Sequence, residues 1–196
     1  MRIVAASDLH LDEQCRFALL RQAREADLVV IAGDLAQRRE GLTQFLAPLE
    51  SIAHKLVMVP GNNETDVQLR NATSATVLHG ETVEIEGVVI AGIGGAIPPL
   101  PPLPWGSFDL TEKECDALLS DIQNADLMIS HSPPNKICDW HRKRGNIGSE
   151  AILRNVERIK PKFLLCGHVH DCWGERGRIG QTLVANLGPV PVYFDI

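Results

Sequence analysis

Leu28-Val29-Val30-Ile31-Ala32-Gly33-Asp34 is the stretch that decides the fold. Its four consecutive large aliphatics read as a strand buried on both faces, as in the middle of a parallel sheet. The run breaks at Gly33-Asp34, leaving a carboxylate at the strand's C-terminal end. In open α/β sheets that end is where ligands sit, because the loops leaving neighbouring strands diverge and open a crevice. The same event recurs along the chain. Ile3-Val4-Ala5-Ala6 ends in Ser7-Asp8-Leu9-His10, and Leu56-Val57-Met58-Val59 ends in Pro60-Gly61-Asn62-Asn63. Leu127-Met128-Ile129 ends in Ser130-His131, and Phe163-Leu164-Leu165-Cys166 ends in Gly167-His168-Val169-His170. Five strand ends carrying Asp, Asn or His are therefore expected on one rim.

Between these strands the periodicity changes to that of helices. Asp12 to Ala26 places Phe17, Leu19, Leu20 and Ala23 among charges, which predicts a helix packing one face on the sheet. Leu42, Phe45, Leu46, Leu49 and Ile52 repeat the pattern before the third strand, and right-handed crossovers make these first strands parallel neighbours. From Val77 the grammar becomes alternating: Glu81 to Ile90 turns at Glu86-Gly87, which is hairpin chemistry and makes the sheet mixed. Prolines 98, 99, 101, 102 and 104 exclude helix and interior strand from the segment that follows. Thr111 and Glu114 form a capping-box signature for a helix reaching about Asn124, with Leu118, Leu119 and Ile122 buried. Ser149 caps a helix bearing Ile152, Val156 and Ile159, which Pro161 ends. Thr182 to Asn186 and Val190 to Ile196 read as a last pair of strands.

The 196 residues, 44% of them hydrophobic, suffice for one well-cored domain over residues 1–196. A net charge of −6 argues against a nucleic-acid partner held by a general electrostatic field, and favours a small substrate. No apolar run approaches the roughly 20 residues that cross a bilayer, and the N-terminus enters a strand with no signal-peptide layout. Five cysteines, an odd number without a CxxC, predict reduced thiols and a cytoplasmic location, with Cys138 and Cys172 nearest the expected site. The sequence sets no oligomeric state and leaves room for a homo-oligomer.

The chemistry lies in the rim residues. Divalent ions such as Mn²⁺, Fe²⁺ and Zn²⁺ take carboxylate oxygen, amide oxygen and imidazole nitrogen. The rim offers Asp8, His10, Asp34, Asn62, His131, His168 and His170, a set that suits two ions better than one. With Asp34 as the bridge, two ions sit about 3.5–4 Å apart and can act together on a phosphoryl group. Each motif alone has a plainer reading: a helix cap with a surface histidine, a strand-end turn, two histidines on alternate residues. Their conjunction at five strand ends is what points to metal.

The order Asp-x-His, Gly-Asn-x-Glu and Gly-His-x-His, with Gly-Asp and a lone His between, stands here at 8–10, 33–34, 61–64, 131 and 167–170. It resembles the calcineurin-like metallophosphoesterases, specifically their compact bacterial and archaeal branch. The resemblance implies an α/β fold, a four-layer α/β/β/α sandwich of two mixed sheets flanked by helices. It also implies a two-metal site that hydrolyses phosphomonoesters or phosphodiesters. Carried over by motif, Asp8, His10, Asp34 and His170 hold one ion, while Asp34, Asn62, His131 and His168 hold the other. Asp34, His131 and the residue at 63 are the catalytic candidates. That last position departs from the family pattern, whose histidine contacts the phosphate and protonates the leaving oxygen, because here it is Asn63.

The expected activity is hydrolysis of a phosphodiester, or of an activated monoester, on a small or nucleotide-like substrate by metal-activated water. A nuclease, or a catalytically weak scaffold of the same fold, is the alternative, and a scaffold is expected to have lost ligands. Trp140-His141-Arg142-Lys143-Arg144 reads as a solvated basic loop in preference to a second phosphate site. The proline-rich segment with Trp105 reads as a cleft wall in preference to a docking strip, and His54 and His79 as surface residues.

Overall fold

The computed structural model describes all 196 residues. The first half holds β1 (Arg2–Ala6), α1 (Glu13–Ala23), β2 (Leu28–Ala32), α2 (Leu42–Leu46), β3 (Leu56–Val59), α3 (Asp66–Ala72), β4 (Thr76–Val77), β5 (Glu81–Ile85) and β6 (Val88–Ile93). The second holds α4 (Glu112–Leu119), β7 (Leu127–Ser130), β8 (Trp140–His141), β9 (Gly145–Asn146), α5 (Glu150–Ile159), β10 (Phe163–Cys166), β11 (Arg176–Ile179), β12 (Thr182–Asn186) and β13 (Val192–Asp195). One sheet has the order β13-β1-β2-β3-β4, parallel except for β13. The other runs β11-β12-β10-β7-β6-β5, parallel in the middle and antiparallel at both edges.

Side chains alternate between the faces of a strand, and in these strands both faces are apolar. On the outer face of the first sheet, Val4, Val29, Ile31 and Met58 pack with Leu19 and Ala23 of α1 and with Phe45 and Leu46 of α2. On its inner face, Ile3, Ala5, Val30 and Val57 meet Ile90, Leu127, Ile129 and Leu165 of the second sheet. Beyond that, Ala91, Met128 and Leu164 lie under Cys115 and Leu119 of α4 and Ile152 and Val156 of α5. Three apolar layers between four structural layers make the expected α/β/β/α sandwich. Each buried aliphatic contributes about 1.5–3 kcal/mol, so Ile129→Ala, in the layer between the sheets, costs roughly 2–5 kcal/mol.

Several local expectations change in the structure. Phe17 faces solvent, 68% exposed, because two residues along a helix from buried Leu19 is about 200° around its axis. Residues 47–55 continue α2 as 3₁₀ turns containing Pro48, which has no backbone donor for an α-helical bond. The Thr111–Glu114 capping box forms, yet α4 ends at Leu119, where the Ser120 hydroxyl donates to the Ala117 carbonyl at 2.9 Å. The hairpin turn at Glu86-Gly87 has φ of 50° and 77°, the left-handed pair that a two-residue turn requires. The two last strands do not pair with each other: β12 lies beside β10 and β11, whereas β13 crosses to β1 in the other sheet. The crossing is pinned where the Gly188 N–H donates to Ser7 Oγ (2.9 Å) and the Ser7 N–H to the Gly188 carbonyl (2.8 Å). His54 is exposed, but His79 is half-buried beside Phe108 and its Nδ1 accepts from the Gly94 N–H at 3.2 Å. All five cysteines are free, and no helix is long and apolar enough to cross a membrane.

Candidate metal centre

The strands β1, β2 and β3 of one sheet and β7 and β10 of the other end at a common rim. Backbone bonds lace the loops that leave them: the Asp8 N–H to the Gly33 carbonyl, the His10 N–H to the Asp34 carbonyl and the Gly167 N–H to the His131 carbonyl, each 2.9 Å. The motif glycines permit this closeness. A Cβ on Gly33, whose φ is +86°, would lie 2.6 Å from His131 Nδ1, and one on Gly61 would overlap the backbone and carboxylate of Asp34. Asp8, His10, Asp34 and His168 are themselves left-handed, with φ of 54°, 42°, 57° and 68°. Such backbone costs of order 1–3 kcal/mol per residue, persists only where the surroundings over-determine it, and clusters at functional sites.

The candidate ligands converge. Asp34 turns its two carboxylate oxygens to opposite sides, Oδ2 towards His10 Nε2 and Oδ1 towards His131 Nε2, each at 3.6 Å. On the His10 side, His170 Nε2 lies 3.4 Å from His10 Nε2 and 3.8 Å from Asp8 Oδ1. On the His131 side, Asn62 Oδ1 lies 3.2 Å from His131 Nε2 and 3.1 Å from His168 Nδ1. The donor atoms of Asp8, His10 and His170 fall within 4.8 Å of one another, as do those of Asp8, Asp34 and His131.

The tautomer of His131 explains what this geometry suits. Its Nδ1 lies 2.9 Å from the Ala32 carbonyl, which only accepts, so Nδ1 carries the proton and Nε2 presents a lone pair. That lone pair faces two oxygen acceptors, Asn62 Oδ1 and Asp34 Oδ1. Acceptors facing acceptors repel unless positive charge sits among them, so the donor set fits a cation.

The carboxylates also draw positive charge towards the site, as the direction of the pKa shifts reflects. Burial opposes a charge on His131, yet Asp34 and Asp8 outweigh it and raise its pKa. Burial likewise opposes a charged Asp34, but His131, His10 and the Asn63 N–H hold its carboxyl below the usual value. Only part of the His168 ring reaches solvent; burial, with His131 beside it, lowers its pKa and keeps it neutral, the form that ligates. His170 is lowered by burial and by His10, against the pull of Asp8.

A surrounding set of residues holds these groups in place. Asp8 Oδ2 accepts from Ser7 Oγ at 2.6 Å and from Trp173 Nε1 at 3.0 Å, and the His168 N–H adds bonds of 3.1 and 3.2 Å to the two oxygens. The Trp173 ring lies 4.3 Å from that of His170, tilted 31°. Asn186 Nδ2 donates to the carbonyls of Cys138, Gly167 and Val169, fixing the loop that carries His168. Fully buried Glu64 accepts from the N–H groups of Asp34, Ala36 and Gly61 at 2.9, 2.9 and 2.7 Å, tying the β2 loop to the β3 loop. Burial and neighbouring Asp34 push its carboxyl up to about 7.

Asn63 is part of this surround. Its Nδ2 donates to Asp34 Oδ2 and its backbone N–H to Asp34 Oδ1, both at 2.8 Å, while its Oδ1 accepts from the Arg38 N–H at 2.8 Å. Its amide is turned onto Asp34 and the Arg38 backbone.

Beside the rim lies a cleft of about 380 Å³ whose lining includes His168, Arg144, Asn135 and Pro98-Pro99-Leu100. A second recess of about 320 Å³ shares Leu100, Arg144, Ile147 and His168 with it and adds His141 and His170. The proline-rich segment therefore does wall a cleft, through Pro98 to Leu100, while Trp105 is absent from the lining. Arg144 lines the cleft and, like Arg142 and Lys143, is exposed to solvent. The structure thus brings together all seven ligand candidates and Asn63. Trp173, Asn186 and Ser7 lie outside what the sequence singled out. Ser7 and Trp173 sit within three residues of motif positions, but only the fold turns the indole back onto Asp8.

The family model for calcineurin-like phosphoesterases matches residues 1–172. The Caenorhabditis elegans UPF0046 protein K07C11.7 is 25% identical over 94% of this chain and 68% of its own length. The Escherichia coli K12 protein named 3',5'-cyclic adenosine monophosphate phosphodiesterase CpdA is 26% identical over 87% of this chain and 70% of its own. Among solved structures, TT1561 of Thermus thermophilus superposes with a TM-score of 0.73 over 95% of this chain and 88% of that one. At 17% identity this last likeness bears on the fold.

Proposed function

The chain belongs to the calcineurin-like phosphoesterase family, and on that premise we propose that it hydrolyses a phosphodiester, or a monoester with a good leaving group, of a small or nucleotide-like substrate. Asp8, His10, Asp34 and His170 hold one divalent ion, and Asp34, Asn62, His131 and His168 a second. Mn²⁺, Fe²⁺ and Zn²⁺ all accept such a set of oxygen and imidazole ligands. The observation that carries the assignment is Asp34, whose two oxygens face His10 and His131 at equal distance on opposite sides. The relative named as a cyclic-nucleotide phosphodiesterase supports diester chemistry, and free cysteines support a reducing, cytoplasmic setting.

Such ions, when bound, supply Lewis acidity to the phosphoryl group and acidify the water that attacks it. The chain's own residues set the conditions for this. Asp8 and Asp34 bring negative charge into a buried place that draws cations, and His168, held neutral by its burial, offers a lone pair there. The bond from His131 to the Ala32 carbonyl aims Nε2 inward. Asn63 fixes the carboxylate of Asp34, and an amide has no proton to give near neutral pH. Substrates whose leaving oxygen departs unaided are therefore favoured.

The test is hydrolysis of bis(p-nitrophenyl) phosphate and of p-nitrophenyl phosphate by protein stripped with a chelator and then reloaded with Mn²⁺. Turnover that disappears on stripping and returns on reloading is the expected outcome. Turnover indifferent to the chelator, or none at any metal loading, would overturn the proposal.

A further inference from the structure

We infer that the cleft beside the metal centre is the subsite for the second ester group of a phosphodiester, that Arg144 reads the phosphate there, and that the group beyond it is a compact, ring-bearing, donor-rich moiety of nucleoside type. This rests on the hydrolytic reading above and extends it.

The first support is the position of Arg144. It lines both recesses that share His168. Its neighbour Arg142 is paired with Asp171 at 3.2 Å, whereas the Arg144 guanidinium is exposed and has no carboxylate within ion-pair reach. An unpaired guanidinium at the mouth of a site meant for a phosphate offers two parallel N–H bonds matched to its oxygens. The β8–β9 hairpin holds it there: the Arg144 N–H closes the turn on the His141 carbonyl at 3.0 Å, and Trp140 and His141 pair with Asn146 and Gly145.

The second support is the polarity of the cleft. Besides Arg144, its lining includes acceptors: Glu150, Glu112 and the side chain of Asn135. Glu112 is committed to the N-terminus of α5, accepting from Ser149 Oγ and the Ala151 N–H at 2.7 Å. Glu150 is held only loosely, 3.7 Å from Arg154 and 69% exposed. Asn135 donates weakly to the Gly148 carbonyl at 3.4 Å, leaving its own carbonyl oxygen free. The carboxylate of Glu150 works against a second phosphate here. The apolar lining is confined to Pro98, Pro99, Leu100 and Ile147, a small patch that suits one ring better than an acyl chain. What fits is a single phosphate at Arg144, a ring against the prolines, and hydroxyl or amino groups towards Glu150 and Asn135.

The test uses two diesters with the same nitrophenolate leaving group, thymidine 5′-monophosphate p-nitrophenyl ester and bis(p-nitrophenyl) phosphate, on protein with matched metal content. Arg144→Gln is expected to lower kcat/KM for both by about 10- to 100-fold, the loss of a charge-assisted bond, with two ions still bound and the melting temperature unchanged. Glu150→Gln combined with Asn135→Ala is expected to lower kcat/KM for the thymidylyl ester alone. If wild-type protein cleaves both diesters and Arg144→Gln stays within twofold, the subsite is refuted while the hydrolytic reading stands. An equal effect of the double variant on both diesters refutes the nucleoside-type occupant. If wild-type protein with two ions bound cleaves neither diester, both readings fall.

Discussion

Trp173→Phe isolates one hydrogen bond to a proposed ligand. The indole N–H donates to Asp8 Oδ2 at 3.0 Å, and the same ring lies 4.3 Å from His170. Phenylalanine keeps an aromatic ring against His170 and removes the donor. A bond to a charged acceptor is worth about 1.5–3 kcal/mol, and the lower end applies because Trp173 is 39% exposed and water can replace part of it. Asp8 also keeps its bonds from Ser7 Oγ and the His168 N–H. The ion held by Asp8 and His170 should therefore bind roughly tenfold more weakly, while the ion on the Asn62 side is unaffected. Equilibrium dialysis against graded Mn²⁺, with metal counted per chain, separates the two steps. Two dissociation constants within twofold of wild type would refute the positioning role, and an equal weakening of both would refute the division of ligands.

Asp34→Ala should bring hydrolysis to background and reduce bound metal below two per chain, because both ions lose a ligand together; near-normal turnover with two ions would contradict the bridge. His131→Ala should cost far more activity than His141→Ala under equal metal supply, since His131 is wholly buried against Asp34 and Asn62 while His141 stands on the exposed hairpin. Asn63→Ala should lower the rates of nitrophenyl and alkyl esters by the same factor, because the side chain acts through Asp34; a change in the slope against leaving-group pKa would instead show that it serves the leaving oxygen. In metal-free protein the depressed pKa of His168 means that the unfolded chain binds more protons below about 6.5. Its contribution to stability is full above that pH and is lost on acidification, so the melting temperature should fall by roughly 2–4 °C per pH unit below 6.5, and His168→Gln should flatten that dependence, a slope left unchanged being the contrary result.

Much of the sandwich could be read in advance because its strands are short apolar runs that stop at Asp, Asn or His. Leu28 to Ala32 is apolar on both faces, and both faces are covered in the fold, one by helices and one by the second sheet. Which strand joins which sheet is a different matter. Val192 to Asp195 carries the pattern of a strand but no mark that its partner is Arg2 to Ala5 at the other end of the chain. Long-range pairing of this kind is decided by packing, which a local pattern does not encode. The exposure of Phe17 was legible from helical angles alone.

At the site, the candidate ligands were readable because they sit in short motifs at strand ends. The residues that hold them were not, since Trp173 meets Asp8 across 165 positions and Asn186 reaches carbonyls up to 48 residues away. The left-handed backbone of Asp8, Asp34 and His168 is equally invisible in the sequence, which has non-glycine residues there. Asn63 was legible as an unusual residue, while its attachment to Asp34 needed coordinates.

The most direct measurement of the central claim is an anomalous difference map from crystals equilibrated with Mn²⁺. The account predicts two peaks about 3.5–4 Å apart, with Asp34 between them, His10 and His170 on one and His131 and His168 on the other. A single peak, or two peaks that do not share Asp34, would contradict it.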